Sequence, residues 1–227
     1  MILTDKPILC YVTDRTSLRV GPSGGAGSEE ALLKCIASAA AAGVDWIELR
    51  EKDLDARQLL DLARQAVSVV HPERKARPSS TALLVNDRLD VALAAGADGV
   101  HLAETSVPVG AVSQWKRQAK RSDFLVGASC HSVEGARRAA QDGADYIFFG
   151  PVFATPSKAR FGPPQGLAKL AEVCGAVDIP VLAIGGVTLE NAAACLQAGA
   201  AGIAAIGMFQ QTDNLLELLG ELRRRLP

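Results

Sequence analysis

The chain has 227 residues, 48% of them hydrophobic, enough for one domain with a sizeable core. A formal charge of -1 leaves no broad basic field for nucleic acid or an anionic membrane. Five cysteines without C-x-x-C spacing argue against a disulfide framework or structural zinc, and neither a signal-peptide pattern nor a bilayer-length apolar run is present, so a cytoplasmic protein is expected.

The first apolar run, Ile8–Val12, reads as a buried strand and ends in Thr13-Asp14-Arg15 rather than in a Gly-rich nucleotide loop. A repeat begins at Ala42-Gly43-Val44-Asp45-Trp46-Ile47-Glu48-Leu49. It returns as Ala95-Gly96-Ala97-Asp98-Gly99-Val100-His101-Leu102 and as Asp142-Gly143-Ala144-Asp145-Tyr146-Ile147-Phe148-Phe149, with a weaker copy at Ala198-Gly199-Ala200-Ala201-Gly202-Ile203-Ala204-Ala205. Each copy follows an Ala-rich amphipathic stretch, so it reads as a helix closed by glycine and then a buried strand. Further apolar runs at 82–85, 124–126 and 180–184 fall between the copies. The order is strand-helix eight times, with the repeat marking strands two, four, six and eight. Continuous apolar strands suit a parallel sheet covered by helices, which predicts an α/β fold, a single (β/α)₈ TIM barrel over residues 1–227. An open doubly wound sheet is the runner-up. Long loops are expected at 15–27, 71–80 and 150–166, the first and third at the C-terminal strand ends where such barrels carry their active sites.

Chemistry-bearing residues gather at those ends. After strand two, alternation turns Glu48 and Arg50 into the barrel together, and Lys52 adds a second cation. Asn86-Asp87-Arg88 after strand three supplies either helix-capping residues or an amide for a heterocycle and a carboxylate for Mg²⁺. After strand five, Ser132 suits a helix cap, and His131 is a candidate general acid/base. Cys130 and His131 are expected to point apart, and His101 within strand four reads as an oriented core residue. Thr155, Ser157 and Lys158 after strand six suit phosphate or diphosphate. Gly185-Gly186 and Gly207 follow strands seven and eight, where barrels often build a phosphate site.

Taken in this order, Glu48-Leu49-Arg50-Glu51-Lys52, Asn86-Asp87-Arg88, Gly99-Val100-His101-Leu102, Gly150-Pro151-Val152-Phe153 with Thr155-Pro156-Ser157-Lys158, and Ile184-Gly185-Gly186-Val187 resemble the thiamine phosphate synthase family, including its thiazole tautomerase branch. The resemblance implies an enzyme that joins hydroxymethylpyrimidine diphosphate to a thiazole phosphate with Mg²⁺. It implies that Arg50, Lys52, Asn86, Ser129 and Lys158 bind the pyrimidine diphosphate, with Glu48 beside them. Asp87 would hold Mg²⁺, and Thr155, Ser157, Gly186, Ile206 and Gly207 the thiazole phosphate. Arg50, Lys52, Lys158 and His131 would be the catalytic set. The partners implied are small-molecule substrates, and a homo-oligomer is compatible with the sequence.

Three positions depart from the family pattern. Ser106 falls where the family carries a second metal-binding Asp, with Glu104 two residues earlier as a substitute ligand. Glu48 replaces the usual Gln, and Gly207 the usual Ser. Two alternatives follow: a tautomerase aromatising the thiazole phosphate carboxylate with His131, and a non-catalytic thiamine phosphate-binding regulator.

Overall fold

The computed structural model describes residues 6–18, 28–72, 81–155 and 163–226. Strands alternate with helices in the order β1 (Ile8–Val12), α1 (Glu29–Ala42), β2 (Trp46–Leu49), α2 (Ala56–Val70), β3 (Ala82–Asn86), α3 (Leu89–Ala95), β4 (Gly99–Leu102), α4 (Val109–Gln118), β5 (Leu125–Cys130), α5 (Val133–Gln141), β6 (Tyr146–Phe149), α6 (Gly166–Cys174), β7 (Val181–Ile184), α7 (Ala192–Gln197) and β8 (Gly202–Ala205), then α8 (Gly207–Gln210) and α9 (Leu215–Arg225). All strands are parallel, and β8 pairs with β1 to close the barrel. The expected (β/α)₈ barrel is therefore present.

Differences from the sequence expectation are local. A 3₁₀ turn, Arg15–Ser17, occupies the start of the expected first loop, and residues 19–27 lie outside the described residues. Of the expected loops at 71–80 and 150–166, residues 73–80 and 156–162 lie outside them too. Strand β5 runs to Cys130, beyond the apolar run at 124–126, because Gly127 and Ser129 face the barrel interior and break the apolar pattern there. No helix among the described residues is long and apolar enough to cross a membrane. All five cysteines are free thiols, with Cys10, Cys130 and Cys195 buried and Cys35 and Cys174 half-buried.

The repeat has a structural cause. Its glycine closes the preceding helix in a left-handed conformation, as at Gly43 (φ 88°), which a side chain would strain. Its aspartate clasps the neighbouring odd strand. Asp45, Asp98 and Asp145 each accept a hydrogen bond at Oδ2 from the backbone N–H of Leu9, Leu83 and Val126, all at 2.7 Å. Each also meets a basic side chain: Arg223 of α9, His71 after α2 and Lys116 of α4. In the fourth copy Ala201 lacks the carboxylate but keeps the backbone bond, its N–H donating to Val181 O at 2.8 Å. These clasps sit at the N-terminal end of the barrel, away from the expected site.

Inside the barrel, side chains stack in layers contributed by alternate strands. The repeat position after the aspartate reads Trp46, Gly99, Tyr146 and Gly202 on β2, β4, β6 and β8. Two large rings and two glycines share one layer, so the rings of Trp46 and Tyr146 meet with centroids 4.6 Å apart. Two residues further along the same strands come Glu48, His101, Phe148 and Ala204, a layer with two polar groups lying nearer the mouth. A second apolar shell, including Leu9, Ile36, Ile47, Leu62, Val100, Phe149, Ile203 and Leu222, fills the space between strands and helices.

Candidate active site

The C-terminal strand ends form one mouth. Glu48 is buried inside it, as expected from alternation. Burial pushes its carboxyl up to about 7, and the cations Arg50 and Lys52 offset only part of that shift. Arg50 is half-buried and directly follows β2, at the mouth end of the strand and two residues beyond Glu48. Lys52 is exposed at the rim.

A buried network holds this corner. Thr13, fully buried after β1, donates from Oγ1 to Glu51 Oε1 at 2.6 Å and accepts the Arg50 backbone N–H at 3.0 Å. Glu51 also accepts the backbone N–H of Arg15 at 3.0 Å. The Arg15 guanidinium is held by both oxygens of Asp53 at 2.7 Å, a bidentate pair that commits it to the two loops. Thr13 and Glu51 thus orient the Arg50 backbone. Glu51 lies within a sequence motif and Thr13 at the end of the first strand, but the sequence gives neither a role, because their contact joins two loops 38 residues apart.

Asn86 ends β3 opposite His101. Asp87 follows in a left-handed backbone conformation (φ 66°), unusual for a residue other than glycine. The helix-capping alternative is not what the structure has: the residue before α3 is Arg88, and no side chain caps that helix. Instead the exposed Asp87 carboxylate accepts a hydrogen bond from Ser106 Oγ, which also accepts the Ala103 N–H at 2.7 Å. Glu104 does not take part in this contact. Its carboxylate lies toward Gly135 at the start of α5 and, behind burial, helps raise the Cys130 thiol to about 12. Among the described residues no group of three or more His, Cys, Asp or Glu is arranged to hold a metal.

On β5, Ser129 points inward and Cys130 outward into the shell beneath the helices. Cys130 and His131 therefore do not pair. His131 is exposed, and its Nδ1 bonds to the Gly150 carbonyl across the loop ends. Ser132 caps α5 as expected, accepting the Gly135 N–H at 3.0 Å. His101 is fully buried, with Nε2 at 2.8 Å from Ser129 Oγ and Nδ1 at 3.1 Å from the Tyr146 hydroxyl. Desolvation, aided by the Arg50 charge, lowers His101 to about 3, so its ring is neutral at physiological pH.

The loops after β6 and β7 run side by side. Val152 and Phe153 donate their backbone N–H groups to Ile184 O and Gly185 O at 2.9 and 3.0 Å. Gly186 has φ 65°, and a Cβ there would lie 2.6 Å from Ala154 O. Close backbone approach alone thus demands glycine at this position. Thr155 is half-buried beside it, while Ser157 and Lys158 lie outside the described residues. Ile206 and Gly207 follow β8, and Gly207 opens the short helix α8. Backbone at the end of β7 and the first turn after β8 therefore share one side of the mouth.

A closed (β/α)₈ barrel with a cationic corner on one side of its mouth and glycine backbone on the other is the architecture of a phosphate-handling barrel enzyme. Residues 20–209 match the family described as thiamine monophosphate synthase, and the chain belongs to that family. It is 47% identical over 196 residues to a putative thiamine-phosphate synthase of Geobacter sulfurreducens, covering 86% of this chain and 87% of that one. It is 46% identical to a thiamine-phosphate synthase of Methanoculleus marisnigri, covering 83% and 84%. Among solved structures, a thiamine phosphate pyrophosphorylase from Pyrococcus furiosus superposes with a TM-score of 0.77 at 29% identity, covering 96% of this chain and 94% of that one.

Proposed function

We propose that this protein is a thiamine phosphate synthase. It joins hydroxymethylpyrimidine diphosphate to a thiazole phosphate and releases diphosphate. The observation that carries the reading is the convergence of Arg50, Asn86, Asp87 and Ser129 at one mouth above a buried polar layer, in a chain whose curated relatives bear that activity's name.

In this reading the pyrimidine's methylene carbon–oxygen bond breaks and its electron pair leaves with the diphosphate. The thiazole nitrogen then forms the new carbon–nitrogen bond. Arg50 and Lys52, with Lys158, stabilise the departing charge, which is larger in the transition state than in the substrate. Ser129 and Asn86 hold the pyrimidine. Thr155, Ser157, Gly186, Ile206 and Gly207 hold the thiazole phosphate. Mg²⁺ fits here on one condition: Asp87 supplies one exposed carboxylate and Ser106 a hydroxyl beside it, and Mg²⁺ accepts such a set when substrate phosphates complete its shell. Bound there, the ion would neutralise diphosphate oxygens.

The test is direct. Purified protein is mixed with both substrates and Mg²⁺, and thiamine phosphate is measured. Product forms with the wild-type chain, and Arg50→Ala lowers kcat roughly 10²- to 10³-fold. Absence of product at high enzyme concentration overturns the reading. Accelerated aromatisation of the thiazole carboxylate in its place would assign the tautomerase activity, with His131 as its acid/base. In Asp87→Asn, the Mg²⁺ concentration needed for half-maximal rate rises roughly 10-fold or more, as expected for loss of the one carboxylate ligand.

A further inference from the structure

The interior of the barrel holds a chain of three polar groups that crosses three strands. Tyr146 on β6 leans over β5 to reach His101 on β4, and His101 reaches back to Ser129 on β5. Gly127 makes the crossing possible: a Cβ at that position would lie 2.0 Å from Tyr146 Cζ and 2.4 Å from its hydroxyl. The phenol occupies the volume that a side chain on β5 would take.

The directions of the hydrogen bonds follow from donor accounting. Tyr146 is fully buried, and among the described residues its hydroxyl meets one partner, Nδ1 of His101. A buried hydroxyl proton without an acceptor is unfavourable, so Tyr146 donates to Nδ1. A neutral imidazole that accepts at Nδ1 carries its proton on Nε2. Nε2–H therefore donates to Ser129 Oγ. With its lone pair used by the ring, Ser129 keeps its own proton free. Ser129 is half-buried at the mouth, so that proton points to what binds there.

We propose that Tyr146 and His101 are positioning residues that fix Ser129 as a hydrogen-bond donor to an acceptor atom of the bound pyrimidine diphosphate. This rests on the synthase reading for the identity of the ligand. The proton order itself does not. Reversal of the chain, with Nδ1–H donating to the phenol, would leave the Tyr146 proton beside the rings of Trp46 and Phe148 with no acceptor among the described residues. Ser129 would then be able to spend its proton on the ring and present only lone pairs to the ligand, which repel phosphate oxygens.

Two measurements decide it. In the full-length protein with ¹⁵N-labelled histidine, the imidazole resonances of His101, assigned by their loss in His101→Gln, show a neutral ring with the proton on Nε2. Tyr146→Phe releases Nδ1 and shifts that tautomer balance. A proton found on Nδ1 in the wild type overturns the proposal. The second measurement is a double-mutant cycle on thiamine phosphate formation. Tyr146→Phe lowers kcat/KM about 10-fold in the wild-type background but less than about 2-fold in the Ser129→Ala background, a coupling of about 1 kcal/mol. His101→Gln, whose amide N–H can donate to Ser129, retains more activity than His101→Ala. Equal losses in both backgrounds, with all variants folded, would make Tyr146 a packing residue only and overturn the proposal. If the wild-type protein forms no thiamine phosphate, the synthase reading falls alone, and the imidazole resonances still decide the proton order.

Discussion

Glu48 carries a carboxyl in a barrel interior where most neighbours are apolar, and the consequence is a measurable pH dependence. Its folded pKa of about 7 lies above the unfolded value of 4.5. The protonated form is favoured in the fold, so stability is full below about pH 4.5 and falls as pH rises through 7. Glu48→Gln removes this slope. Between pH 5 and 8.5 the stability advantage of the variant over the wild type should grow by on the order of 3 kcal/mol in urea titrations. Parallel slopes for the two proteins would show that Glu48 is ionised at low cost. Gly127 is the steric counterpart. Gly127→Ala forces a methyl into the Tyr146 ring and should cost about 1–3 kcal/mol in the same titration. That Glu48 faces inward was legible from strand alternation. Why position 127 is glycine was not, because the reason is a ring from another strand. The contact between Asp87 and Ser106 was also hidden, since it joins loops 19 residues apart.

The elements show why the repeat was so readable. Each copy had to end a helix with glycine and place an aspartate beside the backbone amide of the second residue of the preceding odd strand. Those demands leave the same letters three times. The motif therefore marked strands correctly without revealing what its aspartate does, which only the clasp geometry explains. Asp98→Ala leaves the Leu83 N–H and His71 without their acceptor, and a loss of about 1–3 kcal/mol is expected. The KM for either substrate should not change, because the clasp lies at the far end of the barrel. A changed KM with unchanged stability would contradict that separation. The alternation of Trp46, Gly99, Tyr146 and Gly202 is the other element-level device. Large and small residues exchange around one layer, so the rings of Trp46 and Tyr146 can meet on the axis.

At the scale of the molecule, the two ends of the barrel divide the work. Clasps and helix ion pairs hold the N-terminal end, and the mouth gathers groups that are costly to bury. Closure depends on the C-terminal helix as well, since Arg223 of α9 reaches both Asp45 and the Pro7 carbonyl. The barrel and its active end were legible because eight strand-helix units leave few other closed arrangements. The hydrogen-bond direction at the mouth was not, because it depends on three residues from three strands. The clasps have a further consequence in time. They join residues only 36, 15 and 19 positions apart, so each pair of strands can form its own contact before the barrel closes. A circular permutant opened between Lys120 and Arg121 keeps every clasp local and should refold at close to the parent rate. One opened between Gly96 and Ala97 puts Leu83 and Asp98 at opposite ends of the chain. It should refold several-fold more slowly in stopped-flow traces, because loop closure must then precede the contact.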